Sequence, residues 1–183
     1  MMRIQAYAGV ILMALLSGCQ TMTPTECKMT NWGERGQQDA FAGQAERILT
    51  YADDCAAQQV PLQQINIAAY RSGYQQGLGY YCQPNRIIEQ ALDGKGAVEI
   101  CPLASQQRLR PLYQTAKRVY HARDALKQLH QEQDRLEQEL TNSKTSDVRR
   151  QEIRQRLRKL DRDSIDARDE LTRAEQSLSR LRP

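Results

Sequence analysis

The stretch Thr141-Asn142-Ser143-Lys144-Thr145-Ser146-Asp147 decides the fold, because it separates two apolar stripes whose phases do not join across it. Before it, Val119, Ala122, Leu126, Leu129, Gln133, Leu136 and Leu140 follow three-four spacing. After it, Ile153, Leu157, Leu160, Ser164, Ala167, Leu171, Ala174, Leu178 and Leu181 do the same. Sustained stripes of this kind, flanked by charge, predict helices that pair along a seam. The polar cluster between them supplies a helix stop and a fresh N-cap. An antiparallel coiled-coil hairpin over residues 103–183, with its turn near 141–147, is the solution that pairs them. Folding about Lys144 sets Leu140 near Val148, Leu136 near Ile153, Leu129 near Leu160 and Val119 near Leu171. Each arm of about 35 residues would reach roughly 50 Å. Gln133 and Ser164 are polar seam positions that either fix register or loosen the packing. The same stripes are open to pairing with a second copy, so a homo-oligomer is the competing arrangement.

The hairpin is basic. From residue 102 to 183 there are 19 Lys and Arg against 13 Asp and Glu, whereas residues 19–101 hold 6 against 9. The excess collects at Arg149, Arg150, Arg154, Arg156, Arg158, Lys159 and Arg162, the candidate binding face. No aromatic side chain interleaves these cations to stack on bases, which argues against nucleic acid. Asp161, Asp163 and Asp166 dilute the run. A solvated face is the plainest expectation; an acidic partner protein or an anionic envelope polymer is the functional one.

The first half differs in kind. Aromatics make up 5% of the chain and charged residues 26%, so any packed core is small. Cys27, Cys55, Cys82 and Cys101 all lie within residues 26–102. An even set in an exported chain predicts disulfides, with three connectivities open. Neighbouring pairs, Cys27–Cys55 and Cys82–Cys101, are favoured because they close loops without threading. Zinc sites show short paired spacings that are missing here, and His121 and His130 fall in the other half. No metal and no cofactor are expected.

Two related signals run through this half: Trp32, Gly36, Asp39, Ala40, Phe41, Gly43, and then Tyr70, Gly73, Gly77, Leu78, Tyr80, Tyr81, Cys82, Pro84. At helical spacing the small residues share one face. A glycine inside a helix costs up to about 1 kcal/mol relative to alanine, so close backbone approach is the reason for several of them. Packing of helix on helix is favoured over a glycine-lined ligand groove. Ala45 to Gln59 reads as helix or turn, with Asp53 and Asp54 at a solvated helix end. Asp93-Gly94-Lys95-Gly96 is a turn signal, and Ala97 to Ile100 reads as extended.

At the N-terminus, Arg3 precedes an apolar run from Tyr7 to Leu16, closed by Leu16-Ser17-Gly18-Cys19. Basic start, apolar stretch and small residues form a secretory signal over 1–18, here ending in a lipobox. Cys19 would be acylated (palmitate among the chains) and followed by a tether over 19–25. As a helix the run reaches about 15 Å, half of a roughly 30 Å bilayer core, so the lipid would be the anchor to the membrane. Gln20, rather than Asp, favours the outer membrane with the chain facing the periplasm.

Trp32, Gly36, Asp39 and Gly43, then Tyr70 to Pro84, then Gly94, Gly96 and Cys101-Pro102 together resemble an uncharacterised proteobacterial lipoprotein family, domain of unknown function 2799, over residues of about 26 to 120. The chain departs from that pattern at Asp39-Ala40, where Asp-Gly is expected, and near Val98, where an aromatic is. The resemblance implies a cell-envelope lipoprotein and carries no activity. Enzymatic chemistry would need Asp39, Asp53, Asp54 and Glu99 to meet in one cleft; no catalytic motif is found, and a non-enzyme is expected. The favoured function is a scaffold or adaptor that presents the hairpin to a periplasmic or envelope protein. The alternative is binding of peptidoglycan or lipopolysaccharide through the basic face.

Overall fold

The computed structural model describes residues 22–182. The signal segment 1–18 and Cys19 lie outside them, as does the start of the expected tether. Residues 22–25, expected within the tether, are already part of the folded unit. Met22 is buried in the core and Thr23 caps the first helix, so the chain is docked from there.

Seven α-helices follow, with no strand among the described residues. Helix α1 (Pro24–Met29) opens on a capping box, in which Thr23 accepts from the Glu26 N–H and Glu26 accepts from the Thr23 N–H. Helix α2 (Trp32–Phe41) is capped by Asn31, and α3 (Ile48–Ala57) leads into a short 3-10 turn at Leu62–Gln64. Helix α4 (Ile67–Tyr81) is capped by Asn66, and α5 (Pro84–Leu92) starts on proline, which needs no N–H there. Two long helices, α6 (Leu103–Thr141) and α7 (Asp147–Leu181, capped by Ser146), form the hairpin. The polar cluster is the turn, as its composition predicts.

Helices α2 and α4 meet at glycines. A Cβ on Gly36 would stand 2.1 Å from the Tyr70 carbonyl oxygen, and one on Gly73 would stand 1.8 Å from that of Gly33. The small-residue face is therefore a backbone-to-backbone contact and not a ligand groove. Cys27–Cys55 ties α1 to α3, and Cys82–Cys101 ties the end of α4 to the segment before α6. These are the neighbouring pairs. Loops of 28 and 19 residues correspond to about 3–4 kcal/mol of chain entropy each.

Residues 97–100 are not extended. Tyr81 takes both backbone groups of Ala97, accepting from its N–H at 2.8 Å and donating to its carbonyl at 3.3 Å, and the segment turns. Pairing that would hold a strand has no partner strand here.

The boundary at residue 102 is a change of element and not a break in packing. One apolar cluster holds the disulfides, Trp32, Tyr51, Tyr70 and Ile87 together with Leu109, Ala116 and Val119 of α6 and Ala174 and Leu178 of α7. A second, smaller cluster of Leu136, Ile153 and Leu160 lies farther out along the hairpin. Only the part of α6 beyond Ala122 is left as an arm. That is about 19 residues or roughly 28 Å, while the two helices themselves, 39 and 35 residues long, have the expected length of roughly 50 Å or a little more.

The seam is also shifted. One edge of the hairpin is tied by Glu139–Arg149 and Glu132–Arg156, and the other by Arg123–Glu175 and the His130–Arg168 approach. The first two pairs centre on residue 144, the other two on 149, so the apolar seam runs between them. Val148 consequently faces solvent at 71% exposure instead of meeting Leu140. Val119 shares a small cavity with Leu92 and Leu178, beyond the expected Leu171. Leu136, Ile153, Leu129 and Leu160 do share one cluster. Pro111 sits inside α6 on an exposed turn, where water can take the Gln107 carbonyl that its missing N–H leaves free.

Candidate functional site

Two regions gather the charged and polar side chains: a buried carboxylate in the first half, and the cationic arm. Helix α2 directs Asp39 inward beside Gly36 and Ala40, leaving it 5% exposed. Its Oδ2 accepts from the Tyr70 hydroxyl at 2.7 Å and its Oδ1 from the Tyr51 hydroxyl at 3.1 Å. Arg35, one turn before, stands 3.6 Å from Oδ1 and donates through Nε and Nη2 to the Tyr51 oxygen at 3.0 and 2.8 Å. The Arg35 and Arg47 guanidinium groups lie 4.7 and 5.2 Å from the centre of the Tyr51 ring. The Arg47 N–H donates to the Tyr70 oxygen at 3.0 Å.

Burial pushes the Tyr51 hydroxyl above the ordinary phenol value and the Tyr70 hydroxyl well above it, and the hydrogen bonds they give to Asp39 add to the rise. Both stay protonated donors at any physiological pH. The arrangement joins α2, α3 and α4 around one satisfied charge. Its reactive atoms are occupied, so its chemistry is that of a clamp. Sequence reading places Asp39 on the small-residue face but misses the clamp. The available signal was a carboxylate in register with Gly36 and Ala40, since such a charge needs buried partners.

The other carboxylates do not join it. Asp53 and Glu99 are exposed, on α3 and on the 93–101 segment. Asp54 is half-buried, with Oδ2 enclosed and without a protein partner, so the helix end it occupies is not fully solvated. Among the described residues no three His, Cys, Asp or Glu groups meet as a metal-binding set. Gly94 and Gly96 adopt left-handed turns, φ +75° and +79°. Their carbonyls accept from Lys117 Nζ at 3.0 Å and the Tyr113 hydroxyl at 2.8 Å, which pins the turn to α6.

The seven basic residues separate into two groups. Arg149 forks onto Glu139 (2.7 and 3.0 Å) and also reaches Glu152 at 3.2 Å. Arg156 forks onto Glu132 at 2.8 and 3.0 Å. Arg150 donates to the Thr145 and Asn142 carbonyls and so caps the turn. These three hold the hairpin together. The arginine hydrogen bonds hold Glu132 and Glu139 below the usual carboxylate range, and the same bonds raise Arg149 and Arg156. Arg154, Arg158, Lys159 and Arg162 are exposed, and none of them enters an ion pair among the described residues. In the seam, Gln133 leans to the edge and donates to Asp161 at 2.8 Å, while the Ser164 hydroxyl is buried with no partner.

The molecule is thus a disulfide-stapled helical domain carrying a helical hairpin. Residues 31–118 match the family described as Protein of unknown function (DUF2799), and this segment is a domain of that family. The match takes in α2 to α5 and the part of α6 that enters the main core; the arm and α7 lie outside it. No curated protein and no solved structure matches the chain. No described helix is long and apolar enough to cross a membrane.

Proposed function

We propose that this protein is a cell-envelope lipoprotein, anchored in the outer membrane through acylated Cys19, that acts as a non-enzymatic adaptor presenting its hairpin arm to a periplasmic protein. The observation that carries this reading is the arm itself. Helices α6 and α7 continue past the main core with Leu136, Ile153 and Leu160 as the buried apolar cluster between them. The base of the arm is built into the stapled core through Val119, Ala174 and Leu178. A projection with a fixed base and an exposed, charged surface suits display to a partner. The Leu16-Ser17-Gly18-Cys19 motif supports the anchor, and the two disulfides suit an oxidising compartment.

The test is crosslinking in intact cells with the full chain and with a variant whose residues 129–164 are replaced by a short glycine-rich turn. That variant keeps every residue that α6 and α7 give to the main core, and its melting temperature checks that this core survives. Loss of the captured, identified partner from a folded short-arm variant is expected; capture unchanged overturns the adaptor reading. Cys19→Ala should abolish labelling by radioactive palmitate and release the protein from the membrane fraction. Retention of both would overturn the anchor.

A further inference from the structure

Arg154, Arg158 and Arg162 follow one another at four-residue intervals on α7, about 6 Å apart along its axis, on the side away from buried Ile153, Leu160 and Ser164. Their surroundings set them apart from the rest of the hairpin's arginines. Arg149, Arg156 and Arg123 reach across to Glu139, Glu132 and Glu175. The outward line from Gln151 to Ile165 has Gln155 beside the three arginines, and the nearest carboxylates stand on its flanks, at Asp161 and at Asp166, one turn beyond Arg162. Asp161 is turned to Gln133 on the flank. The line ends on Ile165, an aliphatic side chain 57% exposed.

Resting on the adaptor reading above, the geometry points to the outer face of α7 as the docking surface for an acidic amphipathic helix of the partner protein. Its carboxylates, at the same four-residue interval, meet Arg154, Arg158 and Arg162, and an apolar residue beyond them meets Ile165. The pitch is the first support, because glutamates four apart on a helix repeat at the same axial distance as the arginines. Guanidinium is the second, since its planar fork matches a carboxylate in two parallel bonds, as it does at Glu132 and Glu139. The aliphatic end is the third. A polyanion without apolar groups makes no use of Ile165, and a site of three unpaired arginines is short for a long anionic polymer.

The probe is a synthetic helical peptide with glutamates at four-residue intervals and a leucine one turn beyond them, measured by fluorescence anisotropy against the full chain. A peptide of equal composition with its glutamates spread around the helix is the control. Tighter binding of the patterned peptide is expected, weakened at least about tenfold in Arg154→Gln/Arg158→Gln/Arg162→Gln and several-fold in Ile165→Ser. Lys159→Gln, off the line, should leave it unchanged. Equal binding of both peptides, or an unaltered triple variant, overturns the proposal. So does preference for inorganic polyphosphate over the patterned peptide, which would assign the face to anionic polymers. In cells, a triple variant that still captures the partner lost by the short-arm variant overturns this docking face and leaves the adaptor reading standing.

Discussion

The two regions of this chain are held by opposite means. Between α2, α3 and α4 the backbone itself is the contact, at Gly36 and Gly73, and the one buried charge is enclosed by two tyrosines and an arginine. Along the arm side chains make the contact, Leu136, Ile153 and Leu160 forming its buried apolar cluster, and forked arginine–glutamate pairs at the rim tie the two helices. The first region tolerates almost no change of volume, and the second tolerates change of volume but depends on charge.

Reduction breaks the comparison most severely. Losing both disulfides removes about 3–4 kcal/mol each, comparable to the whole stability of a small domain. Hydrogen exchange should then show the stapled core opening before the arm. Next comes Gly73→Ala, whose new Cβ meets the Gly33 carbonyl at 1.8 Å. It is expected to cost about 3 kcal/mol, read by urea denaturation, while the same substitution at Gly79, which has open space, is near neutral or slightly stabilising.

Alkali sharpens the contrast. Burial raises Tyr51, Tyr70, Tyr74, Tyr81 and Tyr113 above the ordinary 10.0. Folding therefore favours the protonated phenols. Their contribution is complete below pH 10 and is lost as pH rises through the folded values, so the melting temperature should fall from about pH 10 upward. Ser164→Ala removes a buried hydroxyl without a partner and should stabilise the hairpin by about 1 kcal/mol. The smallest effect is acid on the arm. Glu132 and Glu139 are held below 4.5 by their arginines, so the contribution of these exposed pairs stands above that pH and fades as pH falls through the folded values. Circular dichroism of the arm should show a slight loss there, and high salt should mimic it.

The hairpin was legible because its stripes and its polar turn are local signals, and the disulfide pairing because neighbouring cysteines close the simplest loops. The seam register was not. Moving the fold by one turn keeps leucines opposite leucines, and the choice is made by Glu139–Arg149 and Arg123–Glu175, which a stripe does not record. The basic run also misled by its composition. Arg149, Arg150 and Arg156 are spent within the hairpin, and only the partners supplied by α6 and the turn reveal it. The Asp39 clamp draws on residues 35, 39, 51 and 70 from three helices, a convergence that no spacing rule contains.

Ala174 and Leu178 complete a core whose other members begin at Met22. Both cysteine pairs can close once residue 101 has been made, yet the apolar flank stays open until α7 has come back along α6. Stapling can precede closure by some seventy residues of synthesis. During that interval Leu109, Ala116 and Val119 are bare to any chaperone that binds exposed apolar helix. Helix α7 thus sets the moment at which the core closes.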